Sequence, residues 1–179
     1  MKFDLLGSVI VHQGRAITLR VDELRTPDGR TVRYDIVQHH GSVIIVPVDE
    51  NGDILFVRQY RHAAGADMLE LPAGTLEPDE APDVCAAREI REETGMEAAN
   101  IKEIGKFYLA PGYSTELMHV FLATGLSENP LEADDDEFLS VEKLSLADAL
   151  KLATSGGLAD AKSLAALLLA QASLYNAGG

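Results

Sequence analysis

The sequence predicts an α+β fold built on a mixed β-sheet. Three observations carry this. Apolar residues alternate through the first 40 positions, and β-branched runs follow at 42–48 and 54–57. Helical signals are confined to about 82–94, 146–154 and 160–175. Strands therefore precede and surround a few helices rather than alternating regularly with them.

Val9 and Val11, then Ile17, Leu19 and Val21, then Val32, Tyr34 and Ile36 predict three short strands, with Val37 off phase. Thr26-Pro27-Asp28-Gly29-Arg30 signals the turn between the last two. Residues 1–40 read as a β-rich arm, and 41–179 as the main domain. The runs at 42–48 and 54–57 flank Asn51-Gly52, a strong hairpin signal. Leu69–Leu71 adds a short strand ended by Pro72-Ala73-Gly74. Pro82 suits a first helical turn and Gly95 the residue just past the end, which bounds a helix at 82–94. Strands are expected at 103–109 and 117–124, and one opening at Val141. Ser145-Leu146-Ala147-Asp148 resembles a helix cap for 146–154, Gly156-Gly157 ends that helix, and a last helix spans about 160–175.

Composition narrows the function. Fifteen basic against 29 acidic residues leave a net charge of −14. Such a field repels nucleic acid and anionic membranes, so neither is an expected partner. It also repels a polyanionic small substrate unless metal ions bridge the two. The single cysteine, Cys85, precludes an intrachain disulfide and fits a cytoplasmic setting. The N-terminus makes a poor signal peptide, and 161–174 is too short and too interrupted to span a bilayer.

The informative segment is Gly74 to Met96. With Val84 at zero on a helical wheel, Glu92, Glu89 and Glu93 fall at about 80°, 140° and 180°. Ala86, Ile90 and Ala87 fall on the other side, at about 200°, 240° and 300°. Like charges at these spacings destabilise a helix by about 0.2–0.5 kcal/mol per pair unless a cation sits among them. Hard divalent ions such as Mg²⁺ take carboxylate oxygens together with water and substrate phosphates. Cys85, at about 100° in the acidic arc, has no nearby His and is read as a bystander.

Gly74, five residues, Glu80, seven residues, Arg88-Glu89-Ile90, one residue, Glu92-Glu93, one residue, Gly95-Met96 resembles the Nudix box at all nine specified positions. A chance match at one position is on the order of one in a billion at ordinary residue frequencies. The resemblance implies an α/β/α sandwich with a mixed sheet, and an enzyme that directs water at one phosphorus of a P–O–P linkage. It implies Mg²⁺, with Mn²⁺ able to substitute. Glu89 and Glu93 become the main metal ligands, Glu92 serves a further metal or its water, and the Ala73 carbonyl completes the set. Glu80 and Arg88 hold the loop to the helix, and Gly74 and Gly95 serve the backbone.

Further segments resemble the ADP-ribose pyrophosphatase subfamily. Pro111 lies 16 residues after Gly95 in Ala110-Pro111-Gly112-Tyr113-Ser114-Thr115-Glu116, with Ala110 where that subfamily usually has Ser. Val57-Arg58-Gln59-Tyr60-Arg61 resembles its arginine-bearing strand, which implies Arg61, and less directly Arg58, on the substrate diphosphate. Leu69-Glu70-Leu71-Pro72-Ala73-Gly74 resembles its lead-in to the box, and Glu70 joins Pro111 and Gly112 as a substrate-side residue. A catalytic Glu from an acidic loop is implied at Glu137, with Asp135 as second choice. Residues 1–40 match as the arm that forms homodimers, with adenine near it; Tyr34 and Tyr113 are the candidate contacts. His39 and His40 are read as incidental.

The expected reaction is hydrolysis of ADP-ribose to AMP and ribose 5-phosphate. The alternatives are the same fold acting on GDP-mannose, a diadenosine polyphosphate, a flavin dinucleotide or a nucleoside triphosphate. A domain that senses ADP-ribose without catalysis is the rival from another class; the complete box and the lack of a basic appendage weigh against it.

Overall fold

A computed structural model describes residues 2–132 and 138–177. The chain forms two compact units. One comprises Met1–Gly41 and Tyr108–Leu117, the other Ser42–Phe107 and Met118–Gly179.

In the first unit β1 (Asp4–Gln13), β2 (Thr18–Arg25) and β3 (Thr31–Gln38) form an antiparallel sheet in that order. Gly29, at φ 87°, makes the Thr26–Arg30 turn that the sequence signals. β1 is longer than its apolar pattern suggests, because register shifts at Leu5/Gly7 and Ile10/His12 interrupt its alternation. The 108–117 segment docks on β3: Val37 N–H donates to Tyr113 O and Thr115 N–H to Val37 O.

The second unit holds a mixed sheet of seven described strands. They are β4 (Ser42–Val48), β5 (Asp53–Arg61), β6 (Ala66–Glu70), β7 (Ala73–Thr75), β8 (Met96–Tyr108), β9 (Leu117–Glu128) and β10 (Leu139–Ser145). The main order is β10-β5-β4-β9-β8, with β6 beside β5 and β7 beside β4. The Asn51-Gly52 turn delivers β5 to β4, but they pair only at Val48↔Ile54. β4 spends its length on a parallel ladder to β9, from Ser42↔Met118 to Val48↔Thr124. That explains the run Ser-Val-Ile-Ile-Val-Pro-Val, buried throughout: a central strand covered on both faces needs no polar alternation.

Three helices complete the unit: α1 (Pro82–Thr94), α2 (Leu146–Ser155) and α3 (Ala161–Ala177). Val43 and Ile45 of β4 pack with Cys85, Ala86 and Ile90 of α1 and with Phe121 and Ala123 of β9. Each buried Val or Ile contributes about 1.5–3 kcal/mol. The alternate residues Ile44 and Val46 are also fully buried, so the opposite face is covered too; α3, with Ala166, Leu167 and Ala170 buried, packs against β4 there. Helices on both sheet faces make the α/β/α sandwich that the motif implied.

Candidate active site

α1 carries the acidic cluster because its ends are well specified. Pro82 occupies the first turn, and Gly95 closes the helix at φ 72°, donating its N–H to Arg91 O. Glu89 and Glu93 do not lie on a solvated face. They are buried, at 7% and 4% exposure, beneath the β7 segment. Ala73 N–H donates to Glu93 Oε2 at 2.9 Å. A Cβ on Gly74 would lie 1.8 Å from Glu89 Cδ, so only glycine lets this carboxylate sit against the strand.

Arg88 gathers the acids. Its Nε and Nη2 donate to the two Glu80 oxygens, both at 3.0 Å. Its Nη1 donates to Glu89 Oε1 at 2.7 Å and Glu92 Oε2 at 2.8 Å. One guanidinium thus faces three carboxylates, and Glu93 adds a fourth on the same helix. The planar fork suits this bidentate geometry.

A second charged group lies beside it. Arg61 donates Nε to Glu70 Oε1 at 2.9 Å and Nη2 to Glu70 Oε2 at 2.8 Å. Glu70 is 1% exposed and is also bonded by Lys162. The paired carboxylate holds the Arg61 pKa above the usual arginine value, and Glu93 lies near enough to add to that shift. Arg61 therefore belongs to the electrostatic surroundings of the α1 cluster.

A family model described as NUDIX domain matches residues 38–167. This chain belongs to the Nudix family. This Nudix hydrolase is 40% identical over 159 residues to the ADP-ribose pyrophosphatase of Bacillus subtilis (strain 168), spanning 88% of this chain and 86% of that protein. It is 36% identical over 173 residues to the ADP-ribose pyrophosphatase of Mycobacterium tuberculosis (strain ATCC 25618 / H37Rv), spanning 95% and 84% of the two chains. A crystal structure described as an ADP compounds hydrolase superposes with a TM-score of 0.88 at 25% identity, over 99% of this chain and 97% of that one. The protein is an enzyme acting on phosphoric anhydride bonds.

The remaining sequence-selected residues of this Nudix hydrolase fall as follows. Arg58 donates Nε to Glu142 Oε1 at 2.5 Å, in a half-exposed pair across β5 and β10. Pro111 and Gly112 belong to the first unit, where Pro111, Tyr113, Tyr108, Ile36 and Arg20 line a cavity of about 320 Å³. Glu137 and Asp135 lie outside the described residues. His39 is tied locally, its Nδ1 accepting from Gly41 N–H. Cys85 is a correction to the helical wheel: it is fully buried in the α1–sheet core, its sulfur accepting from Arg88 Nη2 and donating to Thr75 O. Burial pushes its thiol pKa well up, which keeps it inert. Lys162 and Asp160 were missed, because no local pattern links them to Glu70, some 90 residues earlier.

Nudix hydrolases depend on divalent metals. Among the described residues, no three Asp, Glu, His or Cys side chains converge into a cation cage, and Arg88 Nη1 sits between Glu89 and Glu92 instead. The donor set still suits a hard cation in its chemistry. Glu89, Glu92 and Glu93 all offer carboxylate oxygens from one helix, and Glu89 and Glu92 share the Arg88 guanidinium.

Glu80 provides a pH test. Hydrogen bonding from Arg88 lowers its pKa from 4.5 to about 2. A depressed carboxylate pKa stabilises the fold above the unfolded value and loses that contribution as pH falls through the folded one. The stability difference between the wild type and Glu80→Gln should hold near 2 kcal/mol, about the value of a charge-assisted bond, above pH 5. It should shrink as pH falls from 4.5 toward 2. Urea unfolding at stepped pH measures this, and a pH-independent difference would contradict the ion-pair assignment.

Proposed function

We propose that this enzyme hydrolyses ADP-ribose to AMP and ribose 5-phosphate with Mg²⁺ as its metal. The observation that carries the reading is the anchoring of Arg61: its guanidinium is oriented by the buried carboxylate of Glu70, three residues before Ala73, whose N–H holds Glu93 of the α1 acids. A diphosphate needs both partners, a fixed cationic fork for its oxygens and a metal site at the scissile bond.

In this reading Glu89, Glu93, Glu92 and the Ala73 carbonyl hold the metal. Bound there, the metal would polarise phosphoryl oxygens and acidify the attacking water. Arg61 binds and orients the diphosphate, and Glu70 fixes the Arg61 rotamer. Arg88 and Glu80 hold the box loop on α1. Ala73 N–H holds Glu93 in place. Glu137, with Asp135 as second choice, takes the proton from water. Pro111 and Gly112 are substrate-side residues in this reading, and Arg58 is a lesser contact than Arg61. A cytosolic setting suits the unpaired thiol of Cys85, and no described helix is long and apolar enough to cross a membrane.

We also propose that the enzyme is a homodimer through residues 1–40. In β1, Leu5, Val9, Ile10 and Val11 are each more than half exposed, on the outer strand of a three-stranded sheet. An apolar strand with an open hydrogen-bonding edge favours a partner strand.

A substrate panel with Mg²⁺ tests the function. ADP-ribose should exceed GDP-mannose and a diadenosine polyphosphate in kcat/KM by about tenfold or more, the scale one well-matched pocket contact supplies. AMP and ribose 5-phosphate should be the products, and chelation of Mg²⁺ should stop the reaction. Preference for GDP-mannose would move the substrate assignment within the family.

A further inference from the structure

The start of α3 supplies a charge cluster that the hydrolytic reading has not used. Lys162 is only 13% exposed, and its ammonium bridges Glu70 Oε2 and Asp160 Oδ2, the latter at 2.9 Å. Asp160 accepts from Ser163 N–H at 3.0 Å and from Ser163 Oγ at 2.5 Å. Ser163 Oγ in turn accepts from Leu71 N–H at 2.8 Å. Leu71 lies two residues before Ala73, whose N–H holds Glu93. One helical turn therefore braces both the β6 end that leads into the box and the carboxylate that orients Arg61.

Glu70 is a buried anion shared by two cations. Arg61 contacts both of its oxygens, while Lys162 contacts one from the protein side. The exposures differ accordingly: the Arg61 side chain is 40% exposed and that of Lys162 13%. Arg61 spends Nε and Nη2 on Glu70, which leaves Nη1 to meet a ligand. Without Lys162, Glu70 would rest its whole charge on Arg61, and Asp160 would add an uncompensated negative charge nearby. Both changes weaken the hold of Arg61 on an anion.

We propose that Lys162 is a positioning residue for Arg61, acting through the Glu70 carboxylate that the two cations share. The proposal rests on the reading of Arg61 as the diphosphate-binding group.

The test compares Lys162→Met and Lys162→Arg with the wild type, using ADP-ribose and Mg²⁺. Lys162→Met should raise KM about tenfold, the effect of weakening one charge-assisted contact, with kcat changed less than about threefold. Lys162→Arg, which restores a cation, should return KM to within about threefold of wild type. In an Arg61→Ala background, Lys162→Met should change kcat/KM less than about twofold, since the residue it acts through is gone. If Lys162→Met does not fold by circular dichroism, Lys162→Gln keeps a donor for Glu70 and carries the same expectation. An unchanged KM, or an equal loss in the Arg61→Ala background, overturns the proposal. A wild-type enzyme that does not turn over ADP-ribose overturns the substrate reading instead, and the two failures are distinct.

Discussion

Glu93→Gln is expected to lower kcat for ADP-ribose hydrolysis on the order of 10³-fold, the upper range for removing one electrostatic group from a reacting centre. The substitution isolates charge from shape. Glu93 is 4% exposed and accepts from Ala73 N–H. A glutamine fills the same space and its amide oxygen can accept the same hydrogen bond, so packing is kept. Only the anion is lost. Stability should not fall, because Glu89 and Glu93 are like charges at i,i+4, whose repulsion costs about 0.2–0.5 kcal/mol. Without metal the variant should melt at or slightly above the wild-type Tm. The signature is in the response to cation: Mg²⁺ should raise the wild-type Tm, as a ligand that binds the native state does, and leave that of the variant nearly unmoved. Turnover equal to wild type would remove Glu93 from the metal set.

Gly74→Ala is expected to cut kcat/KM by about 10²-fold through a residue that bears no charge and binds no metal by its side chain. The added methyl would lie 1.8 Å from both Glu89 Cδ and Oε1, and 2.4 Å from Oε2. Something must move. The strand cannot, because Gly74 is paired with Val43 at the centre of the buried sheet. The carboxylate can, since it ends a flexible side chain, but it must leave its bond from Arg88 Nη1. The cost therefore falls on the site more than on the fold. We expect a loss of stability within the about 1–3 kcal/mol usual for overpacking, beside a large rise in the Mg²⁺ concentration needed for half-maximal rate. A Mg²⁺ titration of activity with parallel thermal melts measures both. Wild-type metal dependence in this variant would show that Glu89 does not need its place under β7.

The residues behind these two predictions differ in how openly the sequence displays them. Glu89, Glu92 and Glu93 share one helix, whose limits, Pro82 and Gly95, are local chemistry, so their common face follows from helical pitch alone. The spacing from Gly74 to Gly95 is equally local. β7 was not legible, because Ala-Gly-Thr has no strand pattern and becomes a strand only through its pairing with β4. The start of β8 at Met96 was missed for a related reason. Met96–Lys102 contains no run of β-branched residues, its adjacent Ala98 and Ala99 break the alternation, and it is held by its neighbour strand.

By itself, then, the amino-acid order determined the acidic helix, its end signals, the β-branched run at 42–48 and the membership of the family, since each is written in neighbours a few residues apart. The tertiary structure decided what those acids face. It buried Glu89 and Glu93 beneath β7, withdrew Cys85 into the core, and joined Glu70 to Arg61 and Lys162 across some 90 residues. The physical reason is range. Periodicity and capping act within a turn or two of chain, whereas burial and charge pairing depend on which distant segments the sheet brings together.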